Sequence, residues 1–186
     1  MFIGFNASLS AEENQVIKRI SEGNESAKIT IIAYESLTCG HCADFHTNVY
    51  PELKKNFIEK GLVRIEFRHF PLDVAAFNAS KIGQCNNDGL SNIMQVLYSG
   101  QKKWAKGKTP EEATGYLKKF ITDAGIKVDF DKCLSDKAIE DYVLNDRIDG
   151  VKKFKVNATP TIIINDKKFE KALNYKNLKK YLEKLI

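Results

Sequence analysis

The chain has 186 residues, 43% hydrophobic and 28% charged, enough for one domain that buries about 70% of the surface its unfolded form exposes. A core of that size needs no staples, so the four cysteines at 39, 42, 85 and 133 require a chemical explanation. No run approaches the ~18 consecutive apolar residues of a membrane span, which predicts a soluble chain. The formal charge of +5 is concentrated: residues 167–186 hold seven lysines against two glutamates, and the preceding residues balance to zero. With Leu178, Leu182 and Leu185 at i, i+4 and i+7, this tail reads as an amphipathic helix whose lysines face water. That reading is preferred to a basic stripe with a readable nucleic-acid motif, and no nucleic-acid partner is expected.

No basic segment precedes Met1-Phe2-Ile3-Gly4-Phe5, so the chain reads either as cytosolic or as the mature part of something longer. A first helix is expected over 9–20, with Ser10 as N-cap, Glu13 as its capping-box partner, and Val16, Ile17 and Ile20 on one face. Residues 28–34 form a nearly continuous apolar run, the pattern of a buried strand. Helical spacing follows Cys39-Gly40-His41-Cys42 through Phe45, Val49, Leu53 and Phe57 to Gly61, and 62–67 is a second strand. Strand, helix and strand with short links make a βαβ unit, which sets its strands in parallel and puts Cys39 at the carboxyl end of the first.

The section from 72 to 149 is helical, with candidates at 74–85, 90–98, 109–123 and 135–156. Thr109-Pro110-Glu111-Glu112 marks one start, with a threonine cap, proline at N1 and glutamate at N3. Residues 160–165 are again a strand, Asp166-Lys167 a hairpin turn, and 168–173 its partner. The division that follows is a discontinuous core of 1–71 and 150–186 around an inserted helical block of 72–149.

Two cysteines spaced by two residues can exchange one disulfide between an attacking and a resolving sulfur. At a strand-to-helix junction, Cys39 would sit where free amides and the helix dipole stabilise a thiolate, and a protonated His41 would add to that. Stabilising the thiolate favours the reduced pair and makes the disulfide an oxidant. Two other readings stay open for the pair: a zinc site with His46, at i+4 from Cys42, as a third ligand, and a static disulfide.

Residues 35–46, Glu35-Ser36-Leu37-Thr38-Cys39-Gly40-His41-Cys42-Ala43-Asp44-Phe45-His46, resemble the active-site region of the bacterial DsbA thiol:disulfide oxidoreductases. Ala158-Thr159-Pro160-Thr161 is similar to the cis-proline segment that lies against the redox motif in thioredoxin-like folds. Gln101-Lys102-Lys103-Trp104 is similar to a Gln-x-x-Trp stretch in the DsbA helical domain. The resemblance implies an α/β, thioredoxin-like fold with an inserted helical domain, no cofactor or metal, and substrate docking by Thr159 and Pro160. It also implies a dithiol oxidase acting on reduced, unfolded or exported polypeptides in the periplasm, monomeric and reoxidised by a membrane quinone-linked, DsbB-like partner. The alternatives are an isomerase or reductase of the same fold, or a zinc- or peptide-binding module. Isomerases of this kind usually carry an N-terminal oligomerisation domain, for which the residues before the first strand leave room for one helix.

Departures from the family pattern accompany the match. Gly40 stands where DsbA itself has proline, which frees the redox loop's backbone. The buried acid that many members carry six residues before the first cysteine is Ala33 here. Glu35, on the same strand face by period-two alternation, is the candidate to replace it in proton transfer; a solvated strand-end carboxylate is the alternative. Cys85 and Cys133 are candidates for a structural disulfide, which an exported protein would favour; two buried thiols are the alternative. Arg68 and His69 end the second strand and are read as packing or surface groups.

Overall fold

The computed structural model describes residues 16–186. Five strands form one mixed sheet in the order β1-β3-β2-β4-β5: β1 (Ser21–Glu22), β2 (Ile29–Glu35), β3 (Val63–His69), β4 (Thr161–Ile164) and β5 (Lys167–Lys168). β2 and β3 are parallel, from Ile29 opposite Val63 to Glu35 opposite His69, as a βαβ unit requires. β4 runs antiparallel to β2, which returns the Pro160 end of the chain to the carboxyl end of β2. The first expected helix lies mostly outside the described residues. Its last five, Val16 to Ile20, are not helical, and the chain passes directly into β1, which pairs antiparallel with β3.

The long helix expected after the cysteine pair is broken. α1 (Gly40–Asn48) ends at Val49, α2 (Tyr50–Leu53) follows, and a π turn spans Lys54–Ile58. Pro51 supplies the reason, because its ring cannot donate a hydrogen bond and crowds the preceding turn. The helical block contains α3 (Val74–Gln84), α4 (Asn92–Ser99), α5 (Gln101–Trp104), α6 (Pro110–Asp123), α7 (Phe130–Ser135) and α8 (Lys137–Phe154). The Thr109 cap accepts from the Glu112 amide at 3.2 Å, as the sequence indicates. The helix expected over 135–156 starts at Lys137, because the Asp136 carboxylate accepts from the Ile139 amide and caps it there. α8 continues unbroken past residue 149 to Phe154, across the boundary drawn between the helical block and the second part of the core.

The hairpin turn is Asn165-Asp166 and not Asp166-Lys167. Both residues have positive φ, 44° and 64°, a conformation asparagine and aspartate accept more readily than most. The Asn165 side chain also accepts from the Thr30 amide at 2.9 Å, fixing the turn to β2. The partner strand is shortened to Lys167–Lys168. α9 (Tyr175–Leu182) closes the chain with Leu178 and Leu182 buried, whereas Leu185 lies beyond its end and is exposed.

One buried cluster joins sheet residues such as Ile31, Ala33 and Phe67 to Met94, Leu97, Trp104 and Leu117 of the helical block. Asp146 of α8 is a second tie. It accepts from Arg19 at 2.6 Å and from the His69 amide at 3.0 Å, with Arg68 at 3.9 Å. Arg68 and His69 are therefore engaged in packing and not in the redox loop. Among the described residues no helix is long and apolar enough to cross a membrane.

Cys85, at the end of α3, is bonded to Cys133 of α7 across 48 residues. In the chain-entropy model a loop of that length contributes about 4 kcal/mol. Replacing both cysteines by alanine is expected to lower the urea midpoint and to raise the slope as the unfolded chain expands; an unaltered midpoint and slope would show that the bond constrains nothing.

Candidate active site

Cys39 is the N-cap of α1, in extended backbone with φ −77° and ψ 121°, so its side chain stands at the open amides of the first turn. The loop before it is held from three sides. The Cys39 amide donates to Ser36 O at 3.0 Å, the Thr38 hydroxyl to Asp73 at 2.7 Å, and the Ser36 hydroxyl accepts from the Leu72 amide at 3.3 Å. Gln101 donates to the carbonyls of Leu37 and Cys39 at 2.8 and 2.9 Å, which fixes the loop to the helical block. Trp104 is fully buried and donates to Leu97 O at 2.8 Å, anchoring the short helix that carries Gln101. The resemblance pointed to these two residues without giving them a task.

Cys39 is partly exposed and Cys42 is buried, and neither is in a disulfide here. The Cys39 thiol is lowered from an ordinary 9.0 to about 5. The largest cause is a hydrogen bond from Cys42; burial opposes it, and the Thr159 side chain and the amides of Cys42 and His41 add to it. The Cys42 thiol is pushed up instead, first by burial, then by its bond to Cys39 and the negative charge of Glu35. The two sulfurs thus differ in chemistry: one is an accessible thiolate, the other a buried thiol.

His41 acts on Cys39 through its backbone amide, and the charged ring that the sequence suggested is not among the largest causes of the lowered thiol. Its side chain is 88% exposed and lies 3.9 Å from Asp44. Gly40 has open space where a side chain would project, so the position admits larger residues.

The Thr159-Pro160 peptide is cis and faces the pair, with the Cys39 thiol donating to the Thr159 carbonyl at 3.3 Å. That contact belongs to the protonated sulfur. The Thr159 hydroxyl is buried without a geometrically complete hydrogen bond, which leaves it available as a donor once the sulfur is a thiolate. Beside Pro160 opens a cleft of about 570 Å³ lined by His41, Asp44, Asn48, Leu173 and Tyr175. Thr159→Val should raise the Cys39 pKa by roughly 1 pH unit or more, from the ~1.5–3 kcal/mol of a hydrogen bond to a charged group reduced by solvent screening. Thiolate absorbance measures it, and an unchanged titration would remove the hydroxyl from the account.

Glu35 is 2% exposed, which excludes a solvated strand-end carboxylate, and its carboxylate meets His46 Nε2 at 2.8 Å. His46 also contacts Gln95 through Nδ1 at 3.1 Å. With both ring nitrogens engaged, His46 is not poised as a zinc ligand. Its spacing from Cys42 was the only sequence signal for it; Gln95 and Tyr98, which complete this contact from α4, gave none.

The family model described as "Thioredoxin" matches residues 15–184. Wolbachia pipientis alpha-DsbA1 superimposes with a TM-score of 0.80 at 29% identity, covering 92% of each chain. BdbD from Bacillus subtilis shares the fold, with a TM-score of 0.70 at 22% identity over 90% of this chain and 92% of that one. Disulfide bond formation protein D of Bacillus subtilis is 25% identical over 87% of this chain and 74% of its own. A Rickettsia bellii protein named as a protein-disulfide oxidoreductase is 26% identical over 87% of this chain. The chain spans 51–61% of the length of the Rickettsia relatives it matches. A cysteine pair at a strand-to-helix junction, a cis-proline segment against it and a family match over nearly the whole length lead to one conclusion: the chain belongs to the thioredoxin family, with the helical block of its DsbA-like members.

Proposed function

We propose that the protein is a dithiol oxidase that donates a Cys39–Cys42 disulfide to reduced polypeptides, in the manner its DsbA-like relatives suggest. The observation that carries this is the asymmetry of the pair: Cys39 is partly exposed and lowered to about 5, and Cys42 is buried and raised. A substrate thiolate attacks Cys39 of the disulfide and the electron pair of the broken bond goes to Cys42. The substrate's second thiolate then attacks the substrate sulfur of the mixed disulfide, and Cys39 leaves as a stabilised thiolate. Gly40 and the His41 amide shape the helix start that holds it. Thr159 and Pro160, at the start of β4, offer backbone for strand-like pairing with the substrate, and the cleft beside Pro160 takes its flanking side chains. Glu35 stands in for the family's buried acid and serves the Cys42 proton.

Each cycle leaves the pair reduced, so a reoxidant is required; a membrane quinone-linked, DsbB-like partner is the reading the resemblance favours. The same resemblance favours a periplasmic, monomeric protein. Equilibration with glutathione buffers tests the assignment. The expected potential lies well above the about −270 mV of a reducing thioredoxin. A potential at that level, with a Cys39 titration near 9, would move the protein to the reductases. Stoichiometric zinc on the reduced pair would sink the enzyme reading altogether.

A further inference from the structure

Close to Cys42, three elements bring together four polar side chains. Glu35 ends β2, His46 lies on α1 one turn after Cys42, and Gln95 and Tyr98 come from α4. His46 is 6% exposed and Tyr98 3%, and their rings stack at 4.1 Å. One carboxylate oxygen of Glu35, Oε2, is held twice: by His46 Nε2 at 2.8 Å and by the Tyr98 hydroxyl, which donates at 3.4 Å. The other, Oε1, is buried and has no partner. Leaving such an oxygen unpaired costs about 1–3 kcal/mol, more for a charged group, so its retention calls for a use.

The proton count follows from the orientation of the Gln95 amide, which leaves its own Nε2 buried without a partner. In its assigned orientation the amide presents its carbonyl oxygen to His46 Nδ1, which therefore carries a hydrogen. The contact between Nε2 and Oε2 then holds one proton, whether as carboxylate with imidazolium or as carboxylic acid with imidazole. Either way the pair is neutral, the form in which a buried acid and base are least costly. One more proton can enter at Oε1, the carboxylate oxygen without a partner, and one can leave at Nδ1, which faces the half-buried Gln95. The other groups facing the pair are Cys42, Tyr98, Tyr50 of α2 at 5.4 Å, and the apolar Phe45 of α1 at 5.4 Å and Phe67 of β3 at 5.5 Å. Burial holds both tyrosines protonated, so neither competes for the proton.

We propose that Glu35 and His46 act as a single proton carrier for Cys42, entered at Glu35 Oε1 and emptied through His46 Nδ1, with Gln95 positioning the exit. The proposal rests on the disulfide-exchange reading and adds to it the route of its buried proton. When a substrate thiolate attacks Cys39, the Cys39–Cys42 bond breaks, and the Cys42 sulfur takes the electron pair and a proton from the carrier. Solvent restores that proton through His46. On reoxidation a partner disulfide forms a mixed disulfide with Cys39 and loses one thiolate. Cys42 then gives its proton to Glu35 Oε1 as its sulfur attacks Cys39, the partner's second thiolate departs, and a proton leaves from His46 Nδ1.

His46→Gln keeps an amide that can hydrogen-bond Glu35 but takes up no proton. Stopped-flow reduction of the oxidised protein by dithiothreitol, and reoxidation of the reduced protein by oxidised glutathione, read the step directly. The variant is expected to react about 10²-fold more slowly, the lower end of what positioned acid–base groups contribute. Its solvent deuterium isotope effect should shrink, while Cys39 still titrates near about 5. Wild-type rates with a wild-type isotope effect would overturn the carrier. Should His46→Gln not fold, Gln95→Leu at the exit decides the same question: slowed exchange with an unmoved Cys39 titration supports it, and wild-type exchange overturns it. A wild-type protein that exchanges with neither reagent would instead remove the oxidoreductase reading.

Discussion

Replacing Cys42 by alanine will leave a protein whose Cys39 thiolate captures disulfide-bearing peptides as a mixed disulfide that no second sulfur of the protein resolves, whereas Cys39→Ser will lose turnover entirely. The difference follows from where the two sulfurs stand. Cys39 caps α1 in contact with water and is a thiolate at neutral pH; Cys42 is fully buried and its thiol is held protonated. Substrate can therefore reach only one of them, and the second serves to close the ring. Incubating Cys42→Ala with a peptide disulfide should give one covalent adduct per chain by mass spectrometry, on Cys39 and released by reductant. An adduct on Cys85 or Cys133 would contradict the assignment, as would residual turnover in Cys39→Ser. Those two sulfurs are already bonded to each other within the helical block.

The reduced protein will become more stable relative to the oxidised one as pH rises from 5 toward 9. The folded Cys39 thiol is depressed from 9.0 to about 5. An acid depressed in the folded state contributes stability that is full above its unfolded value and is lost as pH falls through its folded value. The window here is therefore about 9 down to about 5. At pH 7 the contribution is at most about 2–3 kcal/mol, less after the solvent screening that a partly exposed sulfur undergoes. For a chain of this size that is a shift of several degrees in Tm. Loop closure by the disulfide opposes the effect but does not vary with pH, so the slope of the difference belongs to Cys39. Cys42 stays protonated in the folded protein, so it opposes the slope only as pH approaches 9.0, where its unfolded thiol begins to ionise. Thermal scans of both forms across the window measure the slope, and a flat or reversed difference would show that Cys39 is not a stabilised thiolate.

Much of this molecule is legible one segment at a time. The β2–α1–β3 unit, the placement of Cys39 at the carboxyl end of the first strand, the Thr109 cap and the buried face of α9 each depend on contacts within a few residues. Local chemistry of that kind is written in spacing and residue type. The errors also have local causes. Pro51 broke a helix that periodicity alone would continue, and Asn165-Asp166 claimed the turn because both residues accept positive φ.

The reactive pair, the proline that faces it and the helical block that separates them are written in the order of residues along the chain. How each cysteine is tuned depends on packing between distant segments. Cys39 is stabilised chiefly by Cys42, Thr159 and two amides, and Glu35 is buried against His46. The same packing placed Gln95 and Tyr98, about sixty residues from Glu35 in the chain, around the same carboxylate. The reason is the range of the forces involved. A helix cap or a strand pattern is satisfied by near neighbours, but a buried carboxylate needs partners from whichever elements the sheet register and helix packing bring to it, and no local spacing encodes that meeting.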